Sequence, residues 1–199
     1  MIRDRLLLLA SVALLVLLQA RSALAGPPTD QLRAKIDQVV RTLGDPALKT
    51  KEKLEDRRRA IRNVTNDVFD WTEMAKQSLG RHWENASEAD RQEFVTLFRD
   101  LLEHSYISQI ESYSGEKVTY VEESVDGTRA TVRTKIVTKQ GREIPIDYRL
   151  ALQGDRWLIH DVVIENVSLV SNYRGQFNEI IRASSYKGLL EKIKKKLKT

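Results

Sequence analysis

The sequence predicts an α+β fold, in which a curved four-stranded antiparallel sheet wraps around helices. Three observations predict it: a helical period of apolar residues up to Ile110, an alternation of apolar and polar residues between Lys117 and Ile164, and a second helical stretch after Asn166. A chain of 199 residues, 41% of them apolar, is long enough for one domain and too short for two large cores. Because cysteine is absent, a disulfide scaffold, a thiolate metal site and a thiol nucleophile are excluded.

The first 25 residues have the pattern of a secretory signal peptide. Arg3 and Arg5 precede a largely apolar stretch, Leu6–Leu18, and Ala23-Leu24-Ala25 fits a cleavage site. At about 1.5 Å per residue this stretch spans roughly 20 Å, which is less than the ~30 Å hydrocarbon core of a bilayer. We therefore expect cleavage after Ala25 and export of one soluble domain, residues 26–199. Since residues 1–25 hold three Arg and one Asp, the net charge of +5 becomes +3 in that domain.

Four helical segments precede the predicted strands. The first is Thr29–Leu43, which ends at a Gly-Asp-Pro stop signal, and the second is a charge-dense segment at about 50–66. The third lies between Asp70, as its N-cap, and Gly80. The fourth begins after Ser87 and carries an i, i+4 row that predicts a broad buried face. This row consists of Phe94, Phe98, Leu102, Tyr106 and Ile110.

Four strands follow, at about 117–125, 128–138, 142–152 and 156–164, with Asp126-Gly127, Gln140-Gly141 and Gly154-Asp155 at the turns between them. In the second and third strands apolar residues alternate with polar ones, which is typical of a sheet with one buried and one solvated face. The fourth strand is apolar on both faces except at His160 and Asp161, so we expect it to be covered on both sides.

Two further helices, at about 168–182 and 184–197, complete the chain. Residues 184–199 hold six lysines against one glutamate, a net charge of +5, beside a narrow apolar stripe. One interpretation is a basic amphipathic helix for an anionic membrane surface or an acidic partner. The other is a surface helix that packs through its stripe and keeps its lysines in water, and the lack of an aromatic anchor favours it. The stripe consists of Leu189, Leu190, Ile193 and Leu197.

Residues that could carry catalysis or bind a metal are few. The histidines are not spaced as metal ligands, and no nucleotide-binding fingerprint or nucleophile elbow occurs, so we expect no metal and no cofactor. The small net charge gives no general case for nucleic acid as a partner. One enzymatic alternative stays open, because helices cupped by a curved sheet also occur in ketosteroid-isomerase-like enzymes. In that alternative Asp161 would be the base and Tyr173 a hydrogen-bond donor.

Three blocks of residues occur in an order and spacing typical of one protein family. They are Phe69–Trp83, which contains Ser-Leu-Gly-Arg-His-Trp, the helix start Ser87–Leu102, and Asp155–Phe177, which contains Tyr-Arg-x-Gln-Phe. Together these blocks resemble the MlaC family, the toluene-tolerance auxiliary component of Gram-negative bacteria, over about Leu32 to Leu190. The expected fold is thus a cystatin-like or nuclear-transport-factor-like cone with an added helical subdomain.

The resemblance implies a periplasmic carrier that holds the acyl chains of a phospholipid in an apolar cavity, with the head group outside. It also implies two partners, an inner-membrane ABC transporter complex with an MCE-domain protein and an outer-membrane lipoprotein complex, and a role in outer-membrane lipid asymmetry. We expect a monomer without enzymatic activity. A hopanoid or another hydrophobic cargo stays open, because a related subgroup is associated with hopanoid metabolism.

The residues expected to bind lipid lie on the apolar faces of the strands and of the helices that cover them, where a filled core is the alternative. They are Met74, Leu79, Phe98, Leu102, Tyr106, Val132, Thr134, Ile136, Ile146, Tyr148, Leu150, Val163, Val170 and Tyr173. For docking to a partner or a membrane, the predicted residues are Lys192, Lys194, Lys195 and Lys196.

Overall fold

A computed structural model describes residues 27–198, and the expected signal peptide lies outside them. Within this range the helices are α1 (Pro28–Gly44), α2 (Leu54–Val68), α3 (Trp71–Leu79), α4 (Glu88–Glu111), α5 (Leu169–Ala183) and α6 (Tyr186–Lys196). The strands are β1 (Lys117–Asp126), β2 (Arg129–Val137), β3 (Glu143–Gln153), β4 (Arg156–Ile164) and β5 (Val167–Ser168). The predicted order of helices, strands and helices is confirmed.

Helices α3 and α4 begin at the short polar N-cap residues that the sequence predicts. The Asp70 carboxylate accepts a hydrogen bond from the backbone N–H of Glu73 at 2.9 Å, and the Ser87 hydroxyl accepts one from Asp90 at 3.2 Å. At the other end of α3, Gly80 has a φ of +55°, a conformation that residues with a Cβ rarely adopt. These caps fix the lengths of α3 and α4 and therefore their positions against the sheet.

The five strands form one open antiparallel sheet in the order β1-β2-β3-β4-β5, so the expected count of four strands is corrected to five. The additional strand arises because Glu165 and Asn166 both have positive φ, of 47° and 68°. Two successive residues with positive φ make the tight hairpin turn that matches the twist of antiparallel strands. The chain therefore turns back and pairs Val167 with Ile164 before α5 begins.

Two clusters of buried apolar residues form the core of the described part of the chain. The first is helical and joins α3, α4, α5 and α6 around Phe94, Phe98 and Phe177. The second joins the inner face of the sheet to α1 and the end of α2, and it includes Leu32, Val132 and Leu150 among others. Strand β4 belongs to the second cluster through its inward residues, and on its other face Leu158 and Val163 are only half-buried, so the expected cover of that face is incomplete.

Candidate functional site

An apolar cavity with two chambers lies between the sheet and helices α1, α2 and α4. The first chamber, of about 230 Å³, is enclosed by α2, the start of α3, the second half of α4, and strands β3 and β4. The second chamber, of about 340 Å³, extends toward α1 and the start of β1. The chambers meet, because both are lined by Ile61, Thr65, Phe69, Tyr106, Ile110, Ile146, Tyr148 and Ile164.

Helix α4 contributes to both a filled core and the cavity through a single row of side chains. Phe94 and Phe98 are fully buried and stack at a ring-centroid distance of 5.7 Å, with Phe177 packed edge-on against both. One and two turns further along the same row, Leu102 and Tyr106 line the first chamber. The i, i+4 row thus passes from aromatic packing into the cavity wall without changing its face.

A β-bulge decides which side chains of β4 face the cavity. In the pairing with β3, Arg149 opposes Asp161 while Leu150 opposes Ile159, so His160 is an extra residue without a partner in the ladder. One inserted residue reverses the inward and outward alternation beyond it. Val162 and Ile164 therefore line the cavity and Val163 does not.

The interior of the cavity is neutral. Burial raises the pKa of Tyr148, and burial also raises the pKa of Tyr106, so both phenols stay protonated at neutral pH. Among the residues that line the chambers, five are charged, and their side chains are 22–43% exposed. They are Lys35, Arg58, Arg62, Arg99 and Glu103. The cavity therefore offers apolar contact inside, and its charged side chains lie at its partly exposed edges.

Ion pairs at the mouth connect α2 to α4. The Arg58 guanidinium donates two hydrogen bonds to the Glu111 carboxylate, both at 3.0 Å, and this pairing lowers the pKa of Glu111. One turn further along α2, Arg62 Nε donates to Glu103 at 2.7 Å. Paired, parallel donation of this kind fixes the geometry of both groups. The two pairs hold the helices together across the opening of the first chamber.

Comparisons with known proteins identify the family. The MlaC protein family model matches residues 33–195. The chain belongs to the MlaC family. It is 22% identical over 125 residues to the toluene tolerance protein ttg2D of Pseudomonas putida, a match that covers 62% of this chain and 58% of that protein's length.

A solved structure has the same fold as this MlaC-family chain. It is the phospholipid-binding protein from Ralstonia solanacearum in complex with a phospholipid. The two agree with a TM-score of 0.77 at 21% sequence identity, over 86% of this chain and 97% of the other. The α+β fold class predicted from the sequence is thereby confirmed.

The residues predicted to bind lipid fall into three groups in this MlaC-family fold. Those that line the cavity are Met74, Leu102, Tyr106, Ile136, Ile146 and Tyr148. Those that are buried in the filled clusters or beside them are Leu79, Phe98, Val132, Thr134, Leu150, Val170 and Tyr173. Val163 lies on the other face of its strand because of the bulge at His160, and it lines neither chamber.

The cavity residues that sequence reasoning missed come mainly from α1 and α2. Helix α1 supplies five apolar side chains to the second chamber, and α2 supplies Ile61 to both chambers and Val64 to the second. Their spacing at three and four residues was a readable signal of a buried helical face. The high charge of α2 obscured this face, because the same helix carries the arginines of the mouth. The α1 residues are Leu32, Ile36, Val39, Val40 and Leu43.

Asp161, the base in the enzymatic alternative, does not line either chamber. Its carboxylate is buried and accepts hydrogen bonds from Arg149 Nη1 at 3.0 Å, Ser168 Oγ at 2.7 Å and the Val170 N–H at 3.2 Å. These contacts join the sheet to the first turn of α5. Tyr173, the donor in that alternative, donates to the Ser105 hydroxyl at 3.4 Å. Within residues 27–198, no group of three or more acidic or histidine side chains is arranged to hold a metal ion.

The lysine-rich segment forms α6, whose apolar stripe is not available to a membrane. Leu189, Leu190 and Ile193 are buried in the helical cluster, and Leu197 packs against it. Lys194 forms ion pairs with Glu93 at 2.9 Å and Glu191 at 3.2 Å, while Lys192, Lys195 and Lys196 are exposed. The packing agrees with a surface helix that keeps its lysines in water. In the described part of the chain, no helix is long and apolar enough to cross a membrane.

Proposed function

We propose that this protein is a lipid carrier that encloses the acyl chains of a phospholipid in the two chambers and leaves the head group at the mouth. The observation that carries the proposal is an apolar, neutral cavity that opens at a charged rim, in a chain of the MlaC family. The phospholipid named with the Ralstonia solanacearum structure supports the choice of cargo.

The energetic need for such a cavity is large. A diacyl lipid has roughly 30 methylenes, and at ~0.8 kcal/mol each their exposure to water costs about 24 kcal/mol. A lipid therefore does not cross an aqueous compartment at a useful rate unless its chains are covered. The two connected chambers are suited to two acyl chains that enter together at the mouth and diverge where the chambers meet.

We further propose that the protein works in the periplasm after cleavage behind Ala25. It would exchange lipid with an inner-membrane ABC transporter complex bearing an MCE-domain protein and with an outer-membrane lipoprotein complex, and so maintain lipid asymmetry. This assignment is supported by the family and by the toluene tolerance relative. The exposed lysines of α6 are proposed to dock on acidic surfaces of these partners.

The carrier has no catalytic step to perform in this proposal. Asp161, the base in the enzymatic alternative, is occupied by three structural hydrogen bonds outside the cavity. The tyrosines that line the chambers stay protonated, so the cavity holds no group that exchanges protons at neutral pH.

The test is to purify the mature protein without detergent, extract it with organic solvent and identify the bound molecules by mass spectrometry. We expect diacyl phospholipid at about one molecule per protein. Recovery of a hopanoid would change the cargo that we propose but would keep the carrier function. Recovery of no lipid, together with failure to take up lipid from vesicles, would contradict the carrier function.

A further inference from the structure

A polar recess continues the apolar cavity at its mouth. The recess has a volume of about 350 Å³ and shares Arg58, Arg62, Arg99, Glu103 and Ile107 with the first chamber. Its remaining lining residues are Glu55, Asp100 and His104. A molecule whose apolar part fills the first chamber therefore has its polar part next to this recess.

The recess is charge-balanced, with three arginines and three carboxylates. Arg58 and Arg62 are engaged by carboxylates across the mouth, but Arg99 pairs with its own neighbour, Asp100. Adjacent residues on a helix do not face each other, so the Arg99 side chain must bend sideways to donate to Asp100 at 3.0–3.1 Å. Arg99 is thus the arginine of the recess most easily transferred to another anion.

We propose that the recess binds a zwitterionic head group, in which a phosphodiester anion and an ammonium cation follow one another. The phosphate would replace Asp100 as the hydrogen-bond partner of Arg99, since guanidinium groups bind phosphate oxygens in paired geometry. The ammonium would bind the carboxylates of Glu103 and Asp100. This inference rests on the proposed lipid carrier function and adds a head-group preference to it.

Charge balance is the reason for the preference. The arginines and carboxylates that line the recess sum to zero. Glu111, which binds Arg58 from outside the recess, is also paired with Arg57 at 3.5 Å, so these two outer residues add no net charge. A zwitterionic head group therefore leaves the mouth neutral. A head group with only the phosphate adds one uncompensated negative charge to a partly buried site. The cost is modest at this exposure, and we expect about a threefold preference for the zwitterionic lipid.

The experiment loads the mature protein from vesicles that contain equal amounts of phosphatidylethanolamine, phosphatidylglycerol and diacylglycerol with identical acyl chains. The re-isolated protein is extracted and the three lipids are quantified by mass spectrometry. We expect the native protein to enrich phosphatidylethanolamine about threefold over phosphatidylglycerol. Equal uptake of these two phospholipids would overturn the proposal, whereas uptake of no lipid at all would contradict the carrier function itself.

Two variants separate the roles of the charges. Glu103→Gln removes an ammonium partner and leaves a net positive recess, so the preference should shift toward phosphatidylglycerol. Arg99→Gln removes the phosphate partner, so both phospholipids should decline relative to diacylglycerol. Total lipid per protein and the melting temperature report whether each variant is folded and loaded. If either folded variant retains the native lipid ratios, the proposal is wrong.

Matched controls come from the same two helices outside the recess. Arg59 on α2 and Glu88 on α4 are exposed and line neither chamber nor the recess. Arg59→Gln and Glu88→Gln should therefore keep the native lipid ratios. If either control shifted these ratios as much as Glu103→Gln does, the effect would not come from the recess.

The anion that binds Arg99 could also be free phosphate, and inorganic phosphate added at constant ionic strength tests this source. If it abolishes the preference for phosphatidylethanolamine, the recess is a free-phosphate site and the head-group assignment fails.

Discussion

Ile146 lies where the two chambers meet, so its side chain controls how much acyl chain the cavity can hold. It is one of the residues that line both chambers, and it faces inward on β3 with Tyr148. Replacement by tryptophan adds about six non-hydrogen atoms at this junction. We expect Ile146→Trp to displace about four methylenes of acyl chain, which at ~0.8 kcal/mol each weakens binding by about 3 kcal/mol, or about two orders of magnitude.

Ile146→Trp weakens lipid binding, but it should not lower the stability of the protein without lipid. A tryptophan at the junction fills a void, so the lipid-free variant should melt at the native temperature or above it. In a filled core, an oversized side chain would instead destabilise the fold by about 1–3 kcal/mol. The signs of the two effects therefore distinguish a functional cavity from ordinary packing.

The assay measures lipid per protein after equilibration with vesicles, and the melting temperature of the delipidated protein. Ile144→Trp is the control, because Ile144 is on the same strand and face but lines neither chamber. It should leave lipid loading unchanged. Native loading by Ile146→Trp, combined with a lowered melting temperature, would refute the reasoning that assigns Ile146 to a lipid-filled junction.

Two further variants, one single and one triple, test the roles of charged residues. Asp161→Asn weakens the contacts between the sheet and α5, so we expect the free energy of unfolding, measured by urea denaturation, to fall by about 1–3 kcal/mol. Lipid loading should stay intact. Loss of function in a variant that is folded and loaded would support the enzymatic alternative. Replacing Lys192, Lys195 and Lys196 by glutamate should slow lipid transfer to anionic acceptor vesicles without affecting lipid loading. Added salt should reduce this difference in transfer rate, because exposed charges are screened over ~8 Å at physiological ionic strength. Unchanged transfer kinetics at low salt would show that α6 has no docking role.

The sequence predicted the secondary structure well because local signals decide it. Asp70, Gly80 and Ser87 act as caps in the structure as the pattern of side chains indicates. The fifth strand was not predicted, since it depends on two residues, Glu165 and Asn166, that adopt positive φ without the glycine that usually marks such a turn.

The cavity was harder to predict because burial does not distinguish a wall from a core. Phe98 and Tyr106 are on the same face of α4 with the same spacing pattern, and both contact the helical cluster, but only Tyr106 lines the cavity. The position of Val163 on the outer face of β4 has a separate cause. A bulge at His160 reverses the alternation of β4, and nothing in the local sequence marks the inserted residue.

The first half of α4 packs in the aromatic cluster and its second half lines the cavity. This arrangement explains how a carrier could release its cargo and remain folded. An empty chamber of 230 Å³ costs about 5.5 kcal/mol at ~24 cal/mol per Å³, which is a large part of the stability of a typical domain. Here Phe94, Phe98 and Phe177 pack on one another and line neither chamber, although Met74 and Leu102 of the same cluster do line the first one. The pairs Arg58–Glu111 and Arg62–Glu103 also hold α2 over the chambers without using apolar contacts. Loss of lipid therefore removes neither the packed core nor the ion pairs, so the cost of emptying the cavity is confined to its walls.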